Sequence, residues 1–515
     1  MRRAPASLLL VAALSGCGTN PVSGAKEAQF VSESQEIAIG TENYGPSRQM
    51  QGGDYVVDPS VTAYVQSVGE RLVQVSDRKL PYEFVVINDS VPNAWALPGG
   101  KIAVNRGLLT ELASEAELAA VLGHEITHAA ARHGAKSMER DTFTQGALVA
   151  LALSVSDNRY AGVLVGGAQM SAQLVTMKYG RDAESEADKY GMRYMARAGY
   201  NPYAAVALQE TFVRLSAGQE SGWLQGLFAS HPPSADRVEA NKVTAAELGD
   251  HGDYGKEAYL AAIKPLVDSK DAYASFDKAM KAYAENDMKS ARSFVNQAVH
   301  GEPREARFHA LLGDINARGK RYDDALAAYT RAITMNPGFF QGYLGRGLVR
   351  QRVNKLELAV TDLARSIELL PTATAHNALG EIELRRGHAD QAVEHFRVAS
   401  SSQSDVGHAA ALSLARIELP RNPGDYVQTD LDVDSGGGVV VVIANGAPVP
   451  IRGIEVDVGV LDPSGTALVD PRSIALPQTL APGARATLAT GLGPVSNRAQ
   501  LQQMRVKVRA AQIAE

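Results

Sequence analysis

The chain has 515 residues, 45% of them hydrophobic and 21% charged, a balance normal for soluble globular protein at a length that one hydrophobic core does not serve. About three domains of ordinary size are expected. A formal charge of −6 offers no basic stripe for nucleic acid, and nucleic-acid binding is set aside on that ground.

Residues 1–16 differ from the rest. Arg2 and Arg3 precede the apolar run from Leu8 to Leu14, which is too short to span a bilayer, and Ser15-Gly16 supplies the small residues of a cleavage site. Cys17 follows. It is the single cysteine of the chain, so no internal disulfide can form. Leu14-Ser15-Gly16-Cys17 resembles the lipobox of bacterial lipoproteins, which implies a lipidated Cys17, membrane anchoring and a periplasm-facing place in the cell envelope. Gly18 lacks the aspartate that some bacteria use for inner-membrane retention, which favours the outer membrane.

Val85 and Ile87, then Ile102 and Val104, suggest two strands joined through Pro98-Gly99-Gly100. An edge strand here would pair with an extended peptide. A helical run begins near Ser114, where Ser114 and Glu117 form a capping box, and leads into His124-Glu125-Ile126-Thr127-His128, an H-E-x-x-H motif. At 100° per residue the two histidines lie about 40° apart on one face, so both rings can reach one zinc ion, one per chain. Glu125 sits beside them and can take a proton from a metal-bound water. The apolar Leu118, Val121 and Leu122 bury this helix, and buried His and Glu side chains need a partner such as a metal.

The metzincin pattern for a third histidine fails, because position 131 is alanine and 134 is glycine. If the helix continues, His133 is about 180° from His124 and points away from the metal. Residues 146–167 are apolar but divided by Asp157-Asn158-Arg159, which favours two short buried or lid helices. A second amphipathic helix opens at residues 179–188, with Ala187, Gly191, Met195 and Ala198 on its small, apolar face. Glu184 and Asp188 share that face. Glu184 is therefore assigned as the third zinc ligand, and Asp188 to accepting from a ligand imidazole or assisting proton transfer. Glu186 is expected on the opposite face with Lys189, Arg193 and Arg197. His231, followed by two prolines that stiffen a loop, could reach the cleft as a donor to the developing oxyanion or as a latch in the open zinc position.

Behind this region the sequence repeats itself. Ala291, Ala325 and Ala359 are each 34 apart, as are Pro303, Pro337 and Pro371, the tetratricopeptide period. Gly313, Gly347 and Gly380 permit close helix contact, and about four repeats fill residues 272–405. Stacked repeats form a groove for protein partners. After Pro420, alternation at Ile454, Val456 and Val458 and at Met504, Val506 and Val508 predicts a half-buried antiparallel sheet, a small sandwich.

Asn93-Ala94-Trp95-Ala96-Leu97-Pro98-Gly99-Gly100, Gly107-Leu108-Leu109, the H-E-x-x-H helix, residues 181–188 and His231-Pro232 together resemble the gluzincin endopeptidases of the CAAX-prenyl-protease and HtpX type. The resemblance covers roughly residues 29–248, and the repeats are similar to those of soluble, BepA-like periplasmic protease-chaperones. It implies zinc at His124, His128 and Glu184, Glu125 as general base, and a catalytic or supporting role for Asp188. It also implies unfolded or misassembled envelope proteins as substrates, with envelope partners bound through the repeats. The membrane helices of the prenyl-protease branch are missing, and the terminal sheet departs from the BepA-type layout.

The expected architecture is multidomain. A leader (1–16) and lipidated linker (17–28) precede an α+β, mostly helical, zinc metallopeptidase domain (29–250). A linker helix (251–271), an α-solenoid of tetratricopeptide repeats (272–405), a second linker helix (406–424) and a β-sandwich (425–515) follow. The expected activity is metalloendopeptidase. The rival reading is a lipid-anchored scaffold or chaperone whose repeats dock an assembly machine and whose peptidase is mostly latent.

Overall fold

The computed structural model describes residues 17–145, 174–175, 177–217, 231–461, 467–495 and 498–514. The leader at 1–16 and the two helices expected at 146–167 lie outside these residues. Among the described residues no helix is long and apolar enough to cross a membrane. The chain divides into two compact units, Met1–Pro371 and Thr372–Glu515.

In the first unit, strands β1 (Cys17–Thr19) and β2 (Lys26–Ala28) form a small antiparallel ribbon. A helix at Glu33–Met50 follows, opened by a complete capping box at Ser32. The next sheet has the order β3-β5-β4, from β3 (Glu83–Ile87), β4 (Ala94–Leu97) and β5 (Lys101–Asn105). This corrects the expected hairpin: β3 runs parallel to β5, and the antiparallel partner across Pro98-Gly99-Gly100 is β4. The turn needs its glycines. Gly99 and Gly100 have φ of 78° and 88°, and a Cβ on Gly99 would meet the Ile37 Cα at 2.6 Å. Every residue of the central β5 is buried, and β4 is one of the two edge strands.

The motif helix spans Glu115–Ala130. Ser114 accepts from the Glu117 amide, while the Glu117 carboxylate accepts from Ala113 rather than closing the box on Ser114. The helix stops because Arg132 takes a left-handed φ of 63°, and a new helix starts at His133. Packed on it is a helix at Arg181–Arg197. At their crossing a Cβ on Gly123 would meet the Gly191 carbonyl oxygen at 2.9 Å, so only glycine at both positions allows backbone to lie on backbone.

The stretch 251–271 forms two short helices, Lys256–Ala262 and Lys264–Asp268, rather than a single linker helix. Tyr259, Ile263 and Leu266 are buried in the same core as Leu118 and Leu122, and the Tyr259 hydroxyl donates to the Leu109 carbonyl at 2.6 Å. That core continues into the repeats through Tyr273, Phe276 and Phe308. The Arg106 guanidinium lies 3.4 Å from the Tyr273 ring centre, and Asn88 donates to Glu305 at 2.8 Å. A cut before Ala272 would therefore open the core that carries the motif helix. Three repeat hairpins complete this unit, at Lys270–Ala284 with Met288–Gly301, Ala306–Arg318 with Tyr322–Met335, and Phe340–Arg352 with Leu356–Leu369.

The second unit starts with the fourth hairpin, Ala373–Arg385 with Ala389–Ser400, and a further helix at Asp405–Glu418. Two three-stranded antiparallel sheets follow, ordered β10-β7-β6 and β11-β8-β9. Their strands are β6 (Val427–Val433), β7 (Val439–Asn445), β8 (Ile451–Leu461), β9 (Ala467–Leu476), β10 (Arg485–Ala489) and β11 (Met504–Ile513). Ile454, Val456 and Val458 alternate inward, and with Val427, Val441 and Ile443 from the other sheet they form one core, the sandwich expected from the alternation.

Candidate metal centre

Four buried or nearly buried side chains from three segments converge. Ligand atoms of His124, His128, Glu184 and His231 all lie within 4.8 Å of one another. His124 Nε2 is 2.9 Å from His128 Nε2. Glu184 Oε1 is 3.3 Å from His128 Nε2, and its Oε2 is 3.6 Å from His124 Nε2. The helical-face argument thus places Glu184 against both histidines. His231 Nδ1 lies 3.0 Å from Glu184 Oε1 and 3.2 Å from His124 Nε2, so the proline-stiffened loop does aim its imidazole at the cluster.

Glu125 stands at the rim, 3.6 Å from His231 Nε2, with its Oε2 buried and without a hydrogen-bond partner among the described residues. Burial raises its pKa, against the lowering pull of His231 and His124, which keeps the carboxylate basic. For Glu184, burial also pushes upward, but the His231 and His124 rings outweigh it and hold the group well below the carboxylate range. Its Oε2 is buried and takes no hydrogen bond among the described residues, although Arg237 Nη1 forms an ion pair with it at 3.0 Å. The donor set therefore fits a divalent cation: two imidazoles, one ionised carboxylate and an oxygen still lacking a hydrogen bond.

Asp188 does not face the cluster directly. It accepts from His124 Nδ1 at 3.0 Å, and Arg237 holds both its oxygens, at 2.8 and 2.7 Å. Burial raises the Asp188 pKa, yet these hydrogen bonds overcome it and keep the group ionised. With the proton on Nδ1, His124 turns a bare Nε2 toward the cluster.

Two expectations fail here. His133 does not point away, because the motif helix ends before it; the chain folds back and brings His133 Nδ1 within 2.8 Å of His128 Nδ1. Glu186 does not pair with the basic stripe either. It accepts from His133 Nε2 at 3.0 Å and from Asn20 at 2.9 Å. Arg237 and Tyr179, which stacks on His128 with ring centres 4.0 Å apart, were missed altogether. An arginine in the first turn of the helix at Ala235–Leu248 opposes the helix dipole, a signal that it serves something else.

A cavity of about 50 Å³ opens beside His124 and Glu125, walled by Ala94 of β4 and by Val121, Met192 and Leu208. An edge strand thus borders the cluster, as an extended peptide would require.

The model of peptidase family M48 matches residues 59–244, and a tetratricopeptide model matches 276–338 and 344–405. The beta-barrel assembly-enhancing protease of Escherichia coli K12 is 25% identical over 74% of this chain and 87% of its own length. A Vibrio cholerae relative named for the same role is 34% identical, but the match spans 43% of that protein and 38% of this chain. Metalloprotease YcaL of Escherichia coli K12 is 29% identical over 42% of this chain and 82% of its own length.

Proposed function

We propose that this chain is a zinc metalloendopeptidase of the peptidase family M48 kind, with tetratricopeptide repeats for protein contacts. His124, His128 and Glu184 hold the zinc, and Glu125 is the general base. What carries this reading is the convergence of those ligand atoms with Glu125 and the cavity beside them. Zinc held there would supply a Lewis acid for the attacking water and the scissile carbonyl. Glu125 is placed to take the proton from the attacking water and to give it to the amine released as the peptide C–N bond breaks. Asp188, fixed by Arg237, holds His124 in the tautomer that faces the metal. The β4 edge aligns the substrate as an added strand.

The substrates are unfolded or misassembled proteins of the bacterial envelope. Lipidation of Cys17 anchors the chain facing the periplasm, at the outer membrane, and the repeats bind envelope partners. The names of the relatives and the lipobox-like residues support this. The test is metal content together with casein cleavage, wild type against Glu125→Gln. The variant should keep one zinc per chain and lose about 10²- to 10⁴-fold in rate. Full activity in it would end the reading.

His231 favours a resting, latched state, because its Nδ1 sits among the ligand atoms where a substrate carbonyl would come. His231→Ala should raise casein cleavage if the ring is a latch and lower it, with zinc retained, if the ring is an oxyanion donor.

A further inference from the structure

Behind His128, on the side away from the substrate cavity, lies a buried polar chain that hydrolysis does not use. His133 is 3% exposed at its side chain, and its two ring nitrogens are committed in opposite directions. Nε2 meets Glu186 Oε2 at 3.0 Å, and Nδ1 meets His128 Nδ1 at 2.8 Å. A carboxylate only accepts, so Glu186 requires the His133 proton on Nε2. His133 Nδ1 is then bare, and the short contact to His128 is a hydrogen bond only if His128 carries its proton on Nδ1. The His128 Nε2 that faces His124 and Glu184 is left without one.

We propose that His133 and Glu186 are positioning residues that fix the tautomer and ring angle of His128, and that Asn20 ties this relay to the strand containing Cys17. The inference rests on His128 being a zinc ligand. The His124 arm reaches the same result through Asp188 and Arg237. Two bare Nε2 atoms 2.9 Å apart would repel each other unless a cation lay between them, so the two arms together build a site whose lowest-energy state is metal-bound.

Asn20 is fully buried within the turn joining β1 and β2. Its Oδ1 accepts from the Val22 and Ser23 amides at 2.9 and 3.2 Å. Its Nδ2 is thereby turned to Glu186 Oε1, 2.9 Å away. The strap that follows is fastened to the helix starting at His133: Phe30 and Val31 amides donate to Glu139 at 2.9 and 2.8 Å, and Lys136 pairs with Glu27 at 2.7 Å. The segment just after Cys17 is therefore part of the support of the metal site.

The experiment is zinc affinity of the purified full chain, by competition with a chelating dye. His133→Ala and Glu186→Ala should each weaken zinc about 10- to 100-fold, and the double variant should be no worse than either, since both remove one relay. Asn20→Ala should cost about threefold, the loss of one hydrogen bond. A general loss of structure would make the effects add. His133→Asn supplies a sharper arm, because its amide oxygen can accept from His128 without needing Glu186 to set a tautomer. It should recover most of the affinity, and adding Glu186→Ala to it should then change nothing. Affinities within twofold of wild type in His133→Ala and Glu186→Ala, or an added loss for Glu186→Ala on His133→Asn, would overturn the relay. His128→Ala is the control: stoichiometric zinc in that variant would overturn the ligand assignment instead.

Discussion

Helix pairs held together by glycine occur in two regions, and they use the closeness differently. In the second, third and fourth repeats a glycine on the first helix receives a side chain from the second. A Cβ on Gly313 would meet the Tyr329 ring at 2.6 Å, one on Gly347 would meet Leu363 at 2.8 Å, and one on Gly380 would meet Phe396 at 2.7 Å. In the peptidase, Gly123 and Gly191 receive no side chain. Backbone meets backbone, and short carboxylates on one helix reach imidazoles on the other. Buried acids beside these glycines consequently diverge. Asp188, next to His124 and Arg237, is held below its usual pKa although burial pushes it upward. Asp314, next to Gly313, is raised to about 6 by burial that the Tyr329 and Gln341 hydrogen bonds do not offset. The same packing device builds a site that favours charge where cations face it and a scaffold that disfavours charge where none do.

The largest expected effect lies at the charged end. Glu184→Ala should abolish stoichiometric zinc and with it casein cleavage, as metal analysis of the purified protein would record. A charged first ligand cannot be replaced by the two histidines alone. Retained zinc in this variant would mean that the closeness of the two helices serves packing only, as in the repeats.

Next comes the join between the two regions. Phe308 is fully buried and stacks near Tyr273 and Phe276, with ring centres 5.1 and 4.9 Å away. Phe308→Ala should cost about 3–5 kcal/mol. Because one core runs from the motif helix to Phe308, the same calorimetric transition that zinc stabilises should fall in temperature. If the zinc-dependent transition stayed in place, the peptidase and the repeats would melt separately and the comparison would be one between independent domains.

Much of this was legible in the sequence, and what escaped has a physical reason. The 34-residue step located the repeat hairpins because each one buries the same small residues at the same places. The helical angle between Glu184 and Asp188 predicted their shared face, because a straight helix fixes it. His133 and Glu186 were misplaced because one left-handed residue, Arg132, ended the helix, and no L-residue composition announces that break. The parallel β3-β5 pairing was hidden for a similar reason: alternation marks a strand but not its neighbour. Arg237 lay in plain sight, yet its role depends on a loop returning from far along the chain.

Gly191→Ala and Gly313→Ala test the glycine comparison directly. A Cβ on Gly191 would strike the Gly123 carbonyl carbon and the His124 amide nitrogen at 2.9 Å, and backbone cannot rotate aside. The cost should be about 3 kcal/mol, the upper end of the overpacking range, together with weaker zinc binding. Gly313→Ala meets the buried Tyr329 ring rather than backbone, so it should cost about 1–3 kcal/mol and leave zinc affinity unchanged. Equal loss of zinc in both variants would show that the repeats set the helix spacing at the metal site.

The smallest effect concerns the end where charge is disfavoured and its dependence on pH. Asp314 accepts from the Tyr329 hydroxyl at 2.6 Å and from Gln341 at 3.3 Å, with no cation among these hydrogen-bond partners. Its folded pKa of about 6 lies above the ordinary 3.8, so the folded chain binds this proton more tightly than the unfolded one. Stability contributed by the protonated acid is whole below pH 4 and drains away as pH rises through 6. Asp314→Asn should remove that dependence. At pH 7 the shift caps the gain at roughly 3 kcal/mol, and the weaker hydrogen bonding of an amide returns about 1, leaving roughly 1–2 kcal/mol in favour of the variant. Calorimetry of both chains from pH 4 to 7 should show melting temperatures that differ least at pH 4 and separate upward. A gap that widened toward acid instead would place Asp314 with Asp188, as an acid whose charge the fold supports.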